Sequence, residues 1–179
     1  MLVKYETNFA DGFDGDIVLR LVFSGCKKGA NGRPCKNCHN PGLWGFDLKS
    51  ENIYKDLERQ LAEWKEDMAE FTIISVIGGE PLDQDPEEAQ KVLDIVRKYY
   101  DVPVMVYTGK TEEDVFCGEL SKHPFVASAG YIKCGPYIEE LAPEEEEYNA
   151  QPLPKLASVN QVIYSITRDG ETTKIKKIR

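Results

Sequence analysis

Three of the chain's five cysteines lie close together in one polar stretch. Cys26, Cys35 and Cys38 fall within GCKKGANGRPCKNCHNPGLW, residues 25–44, where most other residues are glycine, proline, lysine or asparagine. A cysteine whose only role is packing is usually buried among apolar residues. Thiols gathered in a polar loop are instead typical of metal ligands or redox groups. The spacing therefore predicts a metal centre at this loop.

Three kinds of metal centre are compatible with these residues. A zinc ion could be held by Cys26, Cys35 and Cys38, with His39 or Cys134 as the fourth ligand. The letters CKNCH also spell the attachment motif of c-type haem, although haem attachment usually accompanies export. The third is a 4Fe-4S cluster, which is normally held by four thiolates. With three thiolates, one iron keeps an open position that a small molecule could bind through an amine and a carboxylate.

A glycine-rich turn follows a predicted buried strand further along the chain. The apolar run FTIISVI, residues 71–77, stops at Gly78, Gly79, Glu80 and Pro81. Glycines allow a backbone to approach a ligand closely. Exposed carbonyl groups in this turn would accept hydrogen bonds from an ammonium group, and Glu80 would add negative charge. Taken alone, the motif is also compatible with an ordinary turn.

The order of the predicted strands brings these loops to one edge of a sheet. Besides 71–77, strands are predicted over 16–23, 102–108 and 130–134. Helix-length segments between them imply βαβ units and a mainly parallel sheet. The cysteine loop, the GGEP turn, and Tyr107 and Thr108 would then meet at the carboxyl edge, where ligands bind in such sheets. The sequence thus predicts an α/β fold with its site at that edge.

Helices are predicted between these strands. Ser50 could cap a helix over 51–69, and Asp85-Pro86-Glu87-Glu88 has the pattern of a second helix start. Thr111 with Asp114 predicts a short helix to about residue 122. The apolar face of the first helix is formed by Ile53, Leu57, Leu61, Trp64 and Met68.

The C-terminal part is predicted to be a loop followed by a hairpin. Residues 141–156 are acidic and contain prolines, which is typical of a loop. Residues 160–178 read as a β-hairpin that turns near Asp169-Gly170. We expect a single domain over 1–179, with this hairpin as an extension within it.

Composition narrows the class of protein. The net charge of −9 over 179 residues argues against a generic nucleic-acid-binding role, which usually goes with a basic surface. No run of apolar residues is long enough to predict a transmembrane helix. The first residues lack the apolar segment of a secretory signal, so we expect a cytoplasmic protein, where disulfides are rare.

Taken together, the motifs resemble the radical S-adenosylmethionine superfamily, in which three cysteines hold a 4Fe-4S cluster and a GGE-type turn binds the methionine amino group. Within it the chain is similar to activases of glycyl-radical enzymes, and most similar to the anaerobic ribonucleoside-triphosphate reductase activating family. The resemblance spans roughly residues 11–165. It is carried by VFSGC (22–26), CHNPGLW (38–44), VYTGKTEEDV (106–115), GPYIEEL (135–141) and SVNQVI (158–163).

The chain departs from that family in three places. Its cysteine spacing is C-x8-C-x2-C, where the family has C-x3-C-x2-C, although loop closure costs little more in a longer loop. The family's DGPG followed by Arg is replaced by DGDIV at 14–18, with Arg20 two positions further along the same strand face. The hairpin extends past the family's usual end.

The resemblance implies a cofactor set and a partner. Cys26, Cys35 and Cys38 would ligate the 4Fe-4S cluster, Gly78–Pro81 would hold S-adenosylmethionine, and Tyr107 and Thr108 would line its adenosine side. An external donor such as flavodoxin or ferredoxin would reduce the cluster. The radical formed by reductive cleavage of S-adenosylmethionine would take a hydrogen from a glycine of the partner reductase.

Two alternatives remain open beside this function. One is a radical enzyme of the same superfamily that acts on a small molecule, as in the deazapurine pathway, and the other is a zinc-binding module without catalysis. The resemblance also leaves His39 either as a hydrogen-bond donor to a cluster sulfur or as an exposed side chain. We expect Cys117 and Cys134 to be packing residues, with Cys134 as an alternative further ligand.

Overall fold

The computed structural model describes residues 1–48, 52–170 and 172–179. The predicted helix cap at Ser50 lies outside these residues. Within them the backbone forms a sheet of seven strands that lie side by side in chain order. The strands are β1 (Leu2–Asn8), β2 (Val18–Phe23), β3 (Ile73–Gly78), β4 (Val104–Tyr107), β5 (Ala129–Cys134), β6 (Val162–Asp169) and β7 (Thr172–Lys177).

The middle of the sheet is parallel and both edges are antiparallel. Strands β2 to β5 pair in parallel, while β1 runs against β2 and the β6–β7 hairpin runs against β5. The predicted α/β class, the mainly parallel sheet and the C-terminal hairpin are confirmed. Strand β1 was not predicted from the sequence, and it forms an edge of the sheet.

Helices and short turns connect the strands of the sheet. The α-helices of the described residues are α1 (Lys27–Ala30), α2 (Ile53–Glu66), α3 (Pro86–Arg97), α4 (Glu112–Phe116), α5 (Pro124–Ser128) and α6 (Glu145–Ala150). Short 3-10 turns occur at Pro41–Leu43, Pro81–Asp83, Glu119–Lys122 and Glu139–Leu141.

Side-chain caps begin α3 and α4, and apolar stripes pack the two long helices α2 and α3 onto the sheet. The Asp85 side chain accepts hydrogen bonds from the backbone N–H groups of Glu87 and Glu88, with Pro86 at the first position of α3, so the predicted helix start is confirmed. The Thr111–Asp114 capping box at α4 is confirmed as well. The stripes of both helices pack on the sheet in one large core, which includes Leu57 and Leu61 of α2 and Val92, Leu93 and Val96 of α3.

The end of α2 differs from the prediction. The helix stops at Glu66, and Met68 is 85% exposed instead of lying on the apolar face. Met68 has a positive φ of 58°, its N–H donates to Lys65 O, and the N–H of Ala69 donates to Trp64 O. This pair of bonds is a Schellman ending, which usually recruits glycine at the left-handed position. Because a methionine occupies it here, the sequence carries no stop signal.

The acidic segment is also more ordered than predicted. Residues 141–156 were expected to form a loop, but Glu145–Ala150 forms α6. Glu145, Glu146 and Glu147 occupy its first turn, where negative side chains interact favourably with the helix dipole.

A second correction concerns Cys117, which is exposed and is not a packing residue, whereas Cys134 is buried in the core as expected.

The opposite face of the sheet is covered by a smaller apolar cluster. Val18, Ile73, Met105 and Ile163 form it, and partly buried side chains from the loop after β1 and from the segment before β6 pack against it. Central parallel strands are therefore covered on both faces, as such strands require. The carboxyl edge is left as the accessible end. No helix among the described residues is long and apolar enough to span a membrane.

Candidate functional site

A cavity opens at the carboxyl ends of β2, β3 and β4. It is where the loops that follow these strands meet, as the parallel topology requires. The predicted site residues that line it are Cys26, Cys35, Cys38, Gly78, Gly79, Glu80, Tyr107 and Thr108. Pro81 is buried, does not line the cavity and begins the 3-10 turn Pro81–Asp83.

The cysteine loop is closed at its base by two backbone hydrogen bonds. The N–H of Gly25 donates to Leu43 O at 2.8 Å, and the N–H of Cys26 donates to Trp44 O at 3.0 Å. Gly25 has a φ of +102°, and a Cβ there would lie 2.5 Å from the Phe46 ring, so only glycine suits this position. The base holds Cys26 at the end of β2.

The sulfur atoms receive hydrogen bonds from nearby N–H groups. The indole Nε1 of Trp44 and the backbone N of Asn40 each lie 3.4 Å from Cys38 Sγ. The Lys28 Nζ lies 3.8 Å from Cys35 Sγ. Donors of this kind stabilise negative charge on sulfur. Burial raises the pKa of the Cys26 thiol above its usual value, with the nearby carboxylates of Glu80 and Asp83 adding to the effect.

The cysteines suit a cluster better than a single ion. Among the residues that the structure describes, no three His, Cys, Asp or Glu side chains form a group that could hold a single metal ion. A 4Fe-4S cluster makes a different demand, because each thiolate binds a different iron. Three thiols that line one cavity, two of them with N–H donors, fit that demand.

The GGEP turn packs directly against the cysteine loop. The N–H of Gly79 donates to Phe23 O, and the N–H of Glu80 donates to Gly25 O, both at 2.8 Å. A Cβ on Gly79 would lie 2.6 Å from Gly25 O and 2.7 Å from Leu43 O. Gly78 has a φ of +130°, and its Cβ would lie 2.2 Å from Phe23 O. Both glycines are therefore required by close backbone approach.

Glu80 joins the GGEP turn to the turn after β4. Its Oε1 accepts from the Thr108 hydroxyl at 2.6 Å and from Leu82 N at 3.1 Å, and its Oε2 accepts from Gly109 N at 2.8 Å. Burial raises the pKa of Glu80 despite these donors. The sequence suggested that Glu80 adds negative charge for a ligand, but in the structure both of its oxygens are engaged within the protein.

Asp83 links the same three loops and was not singled out from the sequence. Its Oδ2 accepts from the backbone N of Lys27, and its Oδ1 pairs with Lys110 Nζ, both at 2.7 Å. Lys110 is the residue after the turn that follows β4. The ion pair is partly shielded from solvent, because the Asp83 side chain is only 4% exposed. Asp83 and Glu80 together hold the cavity walls at fixed positions.

The far wall of the cavity carries Tyr107 and Lys133. The Tyr107 hydroxyl donates to Asp11 O at 2.8 Å, and burial raises its pKa well above the usual value. Lys133 Nζ donates to Lys155 O at 2.6 Å and lies 5.2 Å from the centre of the Tyr107 ring. Burial, aided by the charge of Arg179, lowers the pKa of Lys133 to about 8. Lys133 was also missed by sequence reasoning.

The other residues considered from the sequence lie in different surroundings. Arg20 forms ion pairs with Glu6 and Asp11 and does not line the cavity. His39 is exposed at the cavity rim, where its ring centre lies 4.8 Å from that of Tyr137. Cys134 is 2% exposed in the core and does not line the cavity, so its placement favours packing.

Comparison with protein families identifies the chain. A family model described as "4Fe-4S single cluster domain" matches residues 14–163. The chain belongs to the 4Fe-4S single cluster domain family. The match covers the cysteine loop, the GGEP turn and the turn after β4, which are the parts of this 4Fe-4S single cluster domain that meet at the cavity. It fits the radical S-adenosylmethionine superfamily in general and supports an iron–sulfur cofactor. Searches of curated proteins and of solved structures find no match.

Proposed function

We propose that this 4Fe-4S single cluster domain is a radical S-adenosylmethionine activase. It would cleave S-adenosylmethionine reductively and generate a glycyl radical on a partner enzyme, the anaerobic ribonucleoside-triphosphate reductase. The observation that carries the proposal is the direct packing of the GGEP turn on the cysteine loop, at one cavity on the carboxyl edge of the parallel strands. Neither motif alone would support it as well.

The three cysteines would hold the cluster, and they leave one of its irons without a protein ligand. Cys26 is fixed by the base of its loop, and Cys35 and Cys38 lie near cationic or N–H donors. When bound, the cluster and S-adenosylmethionine supply the electron transfer and the radical chemistry, while the protein supplies placement and electrostatics.

The remaining cavity residues would position S-adenosylmethionine. Gly78 and Gly79 line the cavity, and their backbone would contact a bound amino acid there. Glu80, through Thr108, and Asp83, through Lys110, would keep this turn at a fixed distance from the turn after β4. Tyr107 and Thr108 would line the adenosine side of the ligand.

The rim of the cavity favours a protein substrate. Lys28, His39 and Asn40 line the cavity and are exposed to solvent, so the mouth is accessible from outside. An accessible mouth suits a glycine-bearing loop of a partner protein. A small metabolite would be better served by a site closed from water.

The first test is chemical. After anaerobic reconstitution we expect iron and sulfide in equal amounts, and after addition of dithionite and S-adenosylmethionine we expect methionine and 5′-deoxyadenosine. Zinc without sulfide would overturn the cluster assignment. A cluster that yields no 5′-deoxyadenosine would overturn the radical chemistry.

The second test concerns the substrate. The reduced protein, S-adenosylmethionine and an anaerobic ribonucleoside-triphosphate reductase should together give the electron-spin signal of a glycyl radical. Production of 5′-deoxyadenosine without that signal would favour a small-molecule substrate or another glycyl-radical enzyme. Cys35→Ala should abolish iron binding, while Cys117→Ala, which changes an exposed cysteine outside the cavity, should retain it.

A further inference from the structure

The segment that carries the three cysteines forms a basic surface on an acidic protein. The net charge of the chain is −9, yet the segment 25–46 has no Asp or Glu and contains Lys27, Lys28, Arg33 and Lys36. All four side chains are exposed. This segment therefore concentrates positive charge beside the cavity.

Three of these cations are available to a partner. Lys36 pairs with Glu139 at 2.6 Å and with Glu140 at 3.1 Å, so its charge is already balanced. Lys27, Lys28 and Arg33 form no ion pair with any residue that the structure describes. Together with Asn31 they line a surface hollow next to the main cavity. We call the part of the chain that carries Lys27, Lys28 and Arg33 the basic loop.

The basic loop has a defined shape. Backbone hydrogen bonds run from Ala30 N to Cys26 O and from Arg33 N to Lys28 O, which gives the loop a helical turn. Gly29 is buried against the Trp44 indole, and a Cβ on Gly29 would lie 2.3 Å from that ring. A preorganised loop loses little conformational entropy when a partner binds.

The basic loop also lies beside a ligand sulfur. Lys28 belongs both to the hollow and to the lining of the main cavity, and its Nζ is 3.8 Å from Cys35 Sγ. A protein bound on this surface would therefore sit over the cysteine side of the site.

We propose that the basic loop is the docking site for a small acidic protein that delivers one electron to the cluster. The proposal rests on the proposed function, which requires an external reductant. One electron leaves the reduced centre of the donor and enters the cluster held by Cys26, Cys35 and Cys38, so the donor is oxidised by one electron and the cluster is reduced by one. No bond forms or breaks. Positive charge on the loop draws the negative donor to it and raises the rate of encounter.

The test measures reduction of the reconstituted full chain by a fully reduced acidic flavodoxin, followed by the absorbance of its flavin in a stopped-flow instrument. For the parental protein the rate should fall as salt is added, because exposed charges are screened. The variant Lys27→Glu/Lys28→Glu/Arg33→Glu should react roughly tenfold more slowly or worse at low salt, since steering contributes about that much to such rates. The variant Lys27→Glu/Arg33→Glu, which keeps the cation beside Cys35, should be reduced by excess dithionite to the same extent as the parental protein.

Two further variants make the result specific. Lys174→Glu/Lys176→Glu/Lys177→Glu changes the net charge equally on the exposed strand β7 and should keep the parental rate with flavodoxin. Lys27→Glu/Arg33→Glu leaves the residue nearest Cys35 intact and should still be slowed several-fold. Equal loss of rate in the β7 variant, or parental rates in both loop variants, would overturn the proposal.

The same experiment separates this proposal from the proposed function. Absence of a reducible cluster in the parental protein would refute the function, while normal dithionite reduction with unaltered flavodoxin rates in the loop variants would refute only the docking site. Phosphate and chloride at equal ionic strength should inhibit equally. Selective inhibition by low phosphate would instead identify the basic loop as a small-anion site and would also overturn the proposal.

Discussion

The hydroxyl of Thr108 donates a 2.6 Å hydrogen bond to the buried carboxylate of Glu80. This bond joins the end of β4 to the turn after β3, and Gly109 N adds a second link to the other carboxylate oxygen. Two walls of the cavity are therefore tied together by one side chain. The relationship gives Glu80 a measurable structural role that does not depend on any ligand.

Glu80→Ala should destabilise the metal-free protein by about 3 kcal/mol, because three donors, two of them in buried hydrogen bonds, lose their acceptor. Glu80→Gln keeps the acceptor for Thr108 and should cost only about 1 kcal/mol. Urea unfolding at neutral pH measures both. Glu70→Ala, at an exposed position, serves as the control. A Glu80→Ala protein as stable as this control would contradict the role given to the carboxylate.

Lys133 should make the folding free energy depend on pH in the alkaline range. Its pKa in the folded protein is about 8, below the usual value of 10.5, so between these values the unfolded chain binds more protons than the folded one. Stability should therefore rise from about pH 8 to pH 10.5, by roughly 2–3 kcal/mol. Lys133→Met should lack this rise.

Other groups titrate in the same range, so the quantity to compare is the difference between the parental protein and Lys133→Met. Denaturant unfolding at intervals across the window gives that difference. A constant offset between the two proteins at every pH would mean that Lys133 has an ordinary pKa in the folded state.

Gly79→Ala should displace the cysteine loop from the GGEP turn. The new Cβ would lie 2.6 Å and 2.7 Å from backbone oxygens of that loop, which cannot move without opening its base. We expect iron binding after reconstitution to fall to a small fraction of the parental value. Gly42→Ala, in the same loop region with open space around its Cβ, should bind iron normally. Full iron content in Gly79→Ala would show that the loop tolerates the shift.

Trp44→Phe should lower the reduction potential of the cluster. The substitution removes the indole N–H that lies 3.4 Å from Cys38 Sγ, and donors to ligand sulfur stabilise the reduced, more negative state. A net hydrogen bond of about 1 kcal/mol corresponds to at most roughly 40 mV for one electron. An electrochemical titration followed by electron-spin resonance measures the shift.

The matched control for that experiment is Trp64→Phe. Trp64 packs on Tyr5 and Phe71 and does not line the cavity. Its loss should reduce stability without changing the potential. Equal potentials in the two variants would exclude a role for the Trp44 N–H at the cluster.

Local patterns were sufficient to predict the parallel core of the fold. Three predicted apolar runs form β2, β3 and β4. Their parallel order places the cysteine loop, the GGEP turn and the turn after β4 at one edge of the sheet. Strand β1 escaped prediction because its sequence, LVKYETN, is largely polar and it pairs only as an edge. The stop of α2 at Met68 escaped because a methionine takes the left-handed position of glycine.

Site residues could be predicted from the sequence only where they form a short motif. Cysteine and glycine motifs are visible in a sequence because their members are close together in the chain. Asp83, Lys110 and Lys133 are isolated polar residues, and the sheet register alone brings them to the cavity. Whether Glu80 faces a ligand or its own protein also depends on where Thr108 and Gly109 come to lie.

Two hydrogen bonds hold the ends of the cysteine loop, so the anchoring of the loop does not depend on its length. Gly25 and Cys26 are bound to Leu43 and Trp44 through backbone groups at the two ends of the loop, and neither bond uses a residue from inside it. Insertions and deletions inside the loop can therefore accumulate in evolution while the entry and exit of the chain stay in place. Relatives that differ in the interval between the first two cysteines can share one mode of cofactor attachment, and a search pattern that fixes this interval would overlook them.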